Sequence, residues 1–195
     1  MRIIVGVTGA SGVIMSYYLL QALREAPDCE IHLVASGAAQ VTWQYETDLP
    51  FSALASLADA VYGEGEMTAV IASGTFVTEG MIILPCSMKT LGGIVCGYAE
   101  NLLLRAADVC LKENRRVVLC PREMPLGKIH LHNMEQAAQY GCTIIPPMLT
   151  FYTGAQTVEG QIHHIIGKIL LQFGIGYKKM KVWTGTEKSK EAMTG

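Results

Sequence analysis

The sequence predicts a doubly wound α/β sandwich, in which a parallel sheet lies between two layers of helices. Apolar runs typical of buried strands recur at 3–7, 31–35, 81–84, 117–120 and 143–145, and segments of helical periodicity separate most of them. Strands that alternate with helices are joined by right-handed crossovers into a parallel sheet. Ligands of such sheets bind beyond the carboxyl ends of the strands, so functional residues are expected there.

Composition bounds the size and the environment of the protein. A chain of 195 residues, half of them apolar, has material for one domain, and the apolar excess fits doubly covered strands and a subunit interface. The formal net charge of −2 gives no electrostatic basis for binding nucleic acid or an anionic membrane. No continuous apolar window reaches about 18 residues, and no secretory signal is recognised. We therefore expect a cytoplasmic protein.

Residues 8–12 (TGASG), called here the first turn, stand between the first apolar strand and a helical pattern over 13–24. Glycines let the backbone turn tightly and approach a ligand, and unpaired N–H groups at the start of the following helix attract an anion. The first turn therefore predicts a phosphate-binding strand–turn–helix. A plain chain reversal uses the same residue types, so that alternative stays open.

Polar or charged residues also follow the next three strands. Ser36 follows the second strand, and residues 87–90 (SMKT) open the helix after the third, either facing the same anion or forming an ordinary N-cap. Arg122 and Glu123 follow the fourth strand and must lie at its mouth or be paired, because a buried unpaired charge is unfavourable. They form either a structural ion pair or an Arg that binds phosphate beside a proton-donating carboxyl group.

Structural roles, not catalytic ones, are predicted for two arginines and four histidines, and a docking contact is predicted for one tryptophan. Arg115 and Arg116 are predicted at the end of a helix, where basic side chains complement the helix dipole. Four histidines lack metal-ligand spacing and are expected at the surface or in the polar core: His130, His132, His163 and His164. Trp183 stands in a polar tail and is expected to dock against another part of the protein.

Several nucleotide and metal motifs are missing from the sequence. There is no Walker pattern, and Ser36 stands where short-chain dehydrogenases need an acidic residue for the ribose. There is no C-x-x-C pair and no Asp-Asp-x-x-Asp run, so no metal site is predicted.

Seven motifs, in order along almost the whole chain, resemble those of a known family. They are the first turn, 45–48 (YETD), 85–90 (PCSMKT), 101–113 (NLLLRAADVCLKE), 121–126 (PREMPL), 129–134 (IHLHNM), and the pairs 146–147 (PP) and 151–152 (FY). On these motifs the chain resembles the UbiX family of flavin prenyltransferases, which includes the B subunits of bacterial phenolic acid decarboxylase systems.

The resemblance implies a single flavodoxin-like, Rossmann-like domain over residues 1–175 that binds FMN, and a tail over 176–195 that packs near the active site or a neighbouring subunit. It implies a metal-independent transferase that joins a dimethylallyl group from dimethylallyl monophosphate to N5 and C6 of reduced FMN. It also implies a homo-oligomer, a dodecamer, whose product, prenylated FMN, serves a UbiD-type decarboxylase of quinone-precursor or aromatic-acid metabolism.

The resemblance also assigns residues to these functions by position. The residues implied to contact FMN are Gly9, Ala10, Ser11, Ser36, Ser87, Met88, Lys89, Thr90 and Arg122. The residues implied around the prenyl phosphate are Lys112, Arg122, Tyr152 and Lys168. The catalytic set comprises the acid/base residues Glu46 and Glu123, together with Lys112, Ser11 and the aromatic wall Trp183.

One segment and one residue depart from the family pattern. Residues 153–156 (TGAQ) replace a usual His or Asn and a nearby Pro, and Lys168 replaces a usual Arg, so a point charge stands where a planar fork is common. Two functions other than prenyl transfer stay open. One is a non-catalytic FMN-binding accessory subunit of a decarboxylase. The other is a flavin-dependent cysteine decarboxylase, which fits poorly because 85–90 reads PCSMKT instead of PASANT and the second helix holds no catalytic His.

Overall fold

The computed structural model describes residues 1–183 and contains a sheet of six strands. The strands are β1 (Arg2–Val7), β2 (Glu30–Ala35), β3 (Ala60–Gly63), β4 (Gly80–Cys86), β5 (Arg116–Pro121) and β6 (Cys142–Ile144). They lie in the order β3-β2-β1-β4-β5-β6, and every neighbouring pair is parallel. This topology confirms the predicted doubly wound, flavodoxin-like fold.

Helices cover both faces of the sheet. They are α1 (Ile14–Arg24), α2 (Gly37–Glu46), α3 (Phe51–Ala55), α4 (Met88–Val95), α5 (Leu102–Lys112), α6 (Lys128–Gln139) and α7 (Val158–Leu171). Buried residues of α1, α2, α3 and α7 form one hydrophobic core with the sheet, and those of α4, α5 and α6 form the other. None of these helices is both long enough and apolar enough to cross a membrane.

The five predicted strands are confirmed, with ends that differ by at most two residues. They could be recognised because helices cover both sheet faces, which makes buried strands nearly continuous apolar runs; all seven residues of β4 are buried. The sixth strand, β3, was not predicted and falls in the stretch 47–70, which looks irregular in the sequence. It is an edge strand whose residues alternate between half-buried and exposed, so it carries no apolar run.

Thr8 fastens the turn after β1 to the turn after β4. The chain leaves these two neighbouring strands in opposite directions along the sheet, which opens a crevice between their carboxyl ends. The Thr8 hydroxyl donates to the Pro85 carbonyl at 2.8 Å and accepts from the Ser87 amide at 2.8 Å, and its side chain is buried. The Thr8 side chain therefore fixes the distance between the two turns that line the crevice.

The described part of the tail returns along α7. The Tyr177 hydroxyl lies 2.8 Å from Nδ1 of His163, Met180 packs over Gly167, and the Trp183 ring contacts the Tyr152 ring at 5.5 Å between centroids. The docking predicted for Trp183 is thus confirmed. Residues 184–195 lie outside the described part of the chain, so the predicted packing of the tail over 176–195 remains a prediction there.

The helix-dipole interpretation of Arg115 and Arg116 is wrong. α5 ends at Lys112, so both arginines lie beyond the helix. The Arg115 guanidinium donates to the carbonyls of Gly74 and Phe76, while Arg116 opens β5 and lies over the Phe173 ring at 5.5 Å. Arg115 thus holds the loop over 74–76 at the amino edge of the sheet, and Arg116 holds the end of α7 there.

The Thr8 link predicts a measurable loss of stability. Thr8→Val keeps the side-chain shape but leaves the Ser87 amide without its partner, whereas the Pro85 carbonyl keeps the Thr8 amide at 3.3 Å. An unsatisfied buried donor should lower the free energy of unfolding by about 1–3 kcal/mol, measured by urea unfolding. Thr8→Ser keeps the hydroxyl and should lose only about 0.8 kcal/mol for the missing methyl group. Equal losses in the two variants would contradict the role of the hydroxyl.

Candidate active site

Three helices begin at the carboxyl edge of the sheet, around the crevice between β1 and β4. They are α1 after β1, α2 after β2 and α4 after β4. The first amide N–H groups of a helix have no partner within it and carry a partial positive charge, so each start attracts a negative group. The three starts differ in which group fills this role.

The start of α1 is occupied by the carboxylate of Glu46. One oxygen of this carboxylate accepts from the Gly12 amide at 2.7 Å and from the Val13 amide at 3.2 Å. The sequence predicted that a ligand anion binds these amides, and in the structure the chain's own carboxylate does so. Glu46 comes from the far end of α2, so the predicted acid/base residue lies directly on the first turn.

The start of α2 also holds a carboxylate. Ser36 caps this helix by accepting from the Ala39 amide at 3.1 Å, and the Gly37 amide donates to Oε1 of Glu64 at 2.8 Å. Oε2 of Glu64 accepts from the side chain of Asn101, the N-cap of α5, at 3.4 Å. Glu64 was not predicted, because it follows β3 and only the fold brings it to α2.

The first turn approaches α2 closely. A Cβ on Gly9 would lie 2.5 Å from Cβ of Ala38, so only glycine lets the turn pass this close to the helix. Ser11 follows Gly9 and the buried Ala10 and is half-buried. These residues therefore line the crevice with backbone and one hydroxyl group instead of bulky side chains.

The start of α4 carries hydroxyls and a cation instead of a carboxylate. Ser87 accepts from the Thr90 amide at 3.3 Å, which confirms its N-cap interpretation, and the two hydroxyls lie 3.0 Å apart. Among residues 1–183, the amides of Met88 and Lys89 have no hydrogen-bond partner, and the Lys89 side chain is exposed. This is the helix start best suited to an external anion.

Arg122 and Glu123 lie at the mouth of β5, the strand next to β4. The Arg122 amide donates to the Cys86 carbonyl at 3.1 Å, which fixes its backbone beside the turn after β4. Both side chains are exposed, and in the described part of the chain neither forms an ion pair, so the alternative of a structural ion pair is wrong.

An apolar cavity of about 610 Å³ opens beside these two charges. It is lined by Pro121, Arg122, Glu123, Met124, Leu126, Met134, Pro146, Pro147 and Met148. Flexible thioether side chains adapt to small apolar groups. A cation and a carboxyl group at the wall of an apolar cavity suit a ligand with one anionic and one hydrocarbon end.

Tyr152 and Trp183 lie against α7, the helix that carries Lys168. The Tyr152 ring is held edge-on between the His164 ring at 5.7 Å and the Trp183 ring at 5.5 Å. Lys168 is exposed one helical turn after His164 on α7. No hydrogen bond or ion pair within residues 1–183 joins this group to the crevice. That Tyr152, Lys168 and Arg122 surround one phosphate stays a prediction.

Lys112 lies at the other edge of the sheet. It ends α5 four residues before β5 begins, whereas Arg122 follows the last residue of β5. The six residues of β5 span about 20 Å. The Lys112 ammonium pairs with Glu113 and lies against Gly74. Within one chain Lys112 therefore cannot share a pocket with Arg122, because a strand's length separates them.

The buried thiols near these groups are accounted for by packing, and the histidines lie where the sequence predicted them. Burial raises the pKa of the Cys86 and Cys120 thiols well above the usual value, so neither is a thiolate nucleophile. His163 and His164 are buried in α7, whereas His132 is exposed on α6, as expected. Burial, and then the nearby Lys168 charge, lower the pKa of His164.

Comparison with known sequences identifies the family. The profile of the Flavoprotein family matches residues 1–170. A protein of Sedimentibacter hydroxybenzoicus named "probable UbiX-like flavin prenyltransferase" is 59% identical over 187 residues, which cover 96% of this chain and 99% of that protein. Flavin prenyltransferase LpdB of Lactiplantibacillus plantarum is 46% identical over 184 residues, covering 94% of this chain and 98% of LpdB.

Solved structures agree with this assignment. A dodecameric FMN-dependent UbiX-like decarboxylase from Escherichia coli O157:H7 superposes with a TM-score of 0.93 at 48% identity, covering 95% of this chain and all of that one. AnUbiX (PadA1), in complex with FMN and dimethylallyl pyrophosphate, has a TM-score of 0.93 at 43% identity, covering 95% and 98%. The peptidyl-cysteine decarboxylase EpiD, at 17% identity and a TM-score of 0.60, shares the fold alone.

These relatives match the whole crevice-bearing domain, and their names agree with the enzyme class predicted from the sequence motifs. The cysteine decarboxylase alternative is not favoured, since its representative shares only the fold. The chain belongs to the Flavoprotein family and, within it, to the UbiX-like flavin prenyltransferases.

Proposed function

We propose that this protein joins the dimethylallyl group of dimethylallyl monophosphate to N5 and C6 of reduced FMN. The observation that carries the proposal is the unequal charge of three helix starts around one crevice. Carboxylates of Glu46 and Glu64 occupy two of them, whereas the start of α4 keeps hydroxyls, Lys89 and unpaired amides. One free anion site beside two carboxylates fits a mononucleotide with a single phosphate.

The residues that would hold FMN follow the ends of four strands, β1, β2, β4 and β5. Residues 87–90 would bind its phosphate, and the remaining contacts would come from Gly9, Ala10, Ser11, Ser36 and Arg122. When bound, reduced FMN supplies two nucleophilic ring atoms, N5 and C6. The close approach of the first turn to α2 leaves backbone and small side chains facing the nucleotide.

Arg122 and Glu123 would act on the departing phosphate of the prenyl donor. The Arg122 guanidinium can bind phosphate oxygens in a fork, and Glu123 can donate a proton as the allylic C–O bond breaks. The adjacent apolar cavity would receive the dimethylallyl chain. Glu46, whose carboxylate rests on the first turn, would take the proton that N5 loses, pass it to the prenyl double bond as C6 attacks that bond, and then accept the proton that C6 loses.

The other donor-binding residues would come from neighbouring copies of the chain. Lys112 is too far from Arg122 in one chain, and Tyr152 and Lys168 form no hydrogen bond or ion pair with Arg122 within the described residues, yet all three are on the surface. We propose a homo-oligomer, a dodecamer like the E. coli relative, that brings them to Arg122. Trp183 beside Tyr152 would then exclude water from the donor, and the tail over 176–195 would pack at that subunit contact.

The product, prenylated FMN, would be delivered in the cytoplasm to a UbiD-type decarboxylase. Both quinone biosynthesis and aromatic-acid breakdown use decarboxylases of this kind. This follows from the family resemblance, since the chain itself binds the product and not the decarboxylase's substrate.

A mass measurement of the flavin tests the proposed reaction. Protein loaded with FMN is reduced without oxygen, incubated with dimethylallyl monophosphate, and the released flavin is analysed by mass spectrometry. An added five-carbon unit supports the transferase. Unmodified FMN, from protein that binds FMN well, would instead support the accessory-subunit alternative.

Glu123→Gln should separate chemistry from binding. The amide keeps the size of the side chain but cannot donate a proton to the phosphate, so single-turnover rates should fall by about 10²–10⁴-fold. The dissociation constant of FMN, followed by flavin fluorescence, should change less than twofold, because Glu123 is not among the FMN contacts. Equal loss of rate and of FMN affinity would contradict the role as an acid.

The phosphate site at α4 can be tested by comparing FMN with riboflavin, which lacks the phosphate. Lys89→Met should weaken FMN binding about tenfold, because a charge-assisted contact is lost, and should leave riboflavin binding unchanged. Lys178→Met is the matched control, since Lys178 is exposed at the amino edge of the sheet. A similar loss for both flavins would mean that Lys89 does not bind the phosphate.

Sharing of one pocket between subunits can be tested by complementation. Arg122→Ala and Lys112→Ala should each be inactive alone. Co-expressed in equal amounts, they should recover about a quarter of wild-type activity, because a pocket in the mixed oligomer can take an intact residue from each variant. Separately purified variants, mixed without subunit exchange, are the control. Mixed oligomers that remain inactive would rule out Lys112 acting in a neighbour's pocket.

A further inference from the structure

A buried histidine on α7 contacts the proposed donor-binding Tyr152. His164 is 5% exposed, and its Nε2 lies 3.4 Å from the Tyr152 hydroxyl. The two rings meet edge to face, with centroids 5.7 Å apart at 89°. The proposed function gives His164 no role.

Packing alone does not account for an imidazole at this position. Nδ1 of His164 is buried and forms no hydrogen bond of standard geometry among residues 1–183, although the Lys181 backbone lies close enough to the imidazole to raise its pKa against the lowering effect of burial. A buried polar atom without a partner destabilises the folded state, and an apolar ring would fill the same space without that penalty. The contact from Nε2 to Tyr152 is the feature that only a polar side chain provides.

Tyr152 is exposed to solvent, yet its position is fixed from several sides. Its ring is held between His164 and Trp183. The backbone nearby is fastened by the buried Gln161, which accepts from the Thr150 amide at 2.9 Å and donates to the Thr150 carbonyl at 3.2 Å. The Tyr152 hydroxyl is therefore presented to solvent in one orientation over the surface of α7.

Lys168 lies on the same face of that helix. It follows His164 by four residues, and side chains at this spacing are neighbours on a helix. A lysine ammonium attracts a phosphate but gives little directional preference, unlike the planar fork of an arginine. A hydroxyl in a fixed position beside Lys168 would supply the directional hydrogen bond that the ammonium lacks.

We propose that His164 is a positioning residue that holds the Tyr152 hydroxyl beside Lys168, so that the two form a preformed clamp for the phosphate of the prenyl donor. This rests on the proposed function of Tyr152 and Lys168. His164 itself does not contact the donor and acts only through Tyr152.

Steady-state kinetics of three variants test this role. His164→Phe keeps the ring contact but removes the hydrogen bond and should raise the donor KM about tenfold, a loss of about 1.4 kcal/mol, with kcat and FMN affinity within twofold of wild type. Tyr152→Phe should raise the donor KM at least as much. The double variant should behave like Tyr152→Phe alone, because His164 acts through that hydroxyl.

Two further variants separate positioning from packing. His164→Gln can still reach the Tyr152 hydroxyl with an amide and should recover most of the donor affinity. His163→Phe is the matched control: the neighbouring His163 is also buried, but it contacts Tyr177 instead of Tyr152, so the donor KM should not change.

The outcomes distinguish this proposal from the proposed function. If wild-type protein forms no five-carbon adduct, the proposed function fails. If the wild type is active, an unchanged donor KM in His164→Phe overturns the positioning role. Additive effects in the double variant, or an equal rise in donor KM in His163→Phe, would likewise overturn it.

Discussion

Unpaired amide groups at helix starts are the constraint on which the site depends. A parallel sheet sends the start of every helix that follows a strand to the same edge, so positive partial charges accumulate at the crevice between β1 and β4. The chain neutralises two of the three starts with its own carboxylates, Glu46 and Glu64. The third, at α4, remains available. The position of a bound phosphate is thus decided by which starts are already occupied.

The groups suited to bind a second phosphate are divided among three surfaces of the chain. Arg122 lies at the crevice, Tyr152 packs against α7, which carries Lys168, and Lys112 lies at the amino edge. Each is exposed and supported by its own contacts, so each surface is ready before any partner binds. A pocket assembled between subunits would keep cationic groups apart in the free chain and bring them together only where a phosphate neutralises them. It would also bury the donor away from water.

Much of the fold and part of the site could be predicted from the sequence. Strands covered by helices on both faces appear as apolar runs, and Ser87 has the position and type of an N-cap. The edge strand β3 could not be recognised, because its residues alternate between half-buried and exposed and none is fully buried. Glu64 could not be predicted either, since nothing near it in the sequence links it to α2. Arg115 and Arg116 were misplaced because α5 is terminated by a left-handed Asn114, where the Arg115 amide donates to the Cys110 carbonyl, and an asparagine marks a helix end less clearly in a sequence than a glycine does.

The sequence alone determined the order of strands and helices, the glycine turn, the N-cap at α4 and the family motifs, because these depend on neighbouring residues and on burial. The tertiary structure decided which charges meet. Glu46 reaches the first turn from the end of α2, and Lys112 is separated from Arg122 by the length of β5. Electrostatic and hydrogen-bonding contacts act over a few ångströms in space, and distance along the chain does not fix distance in the fold.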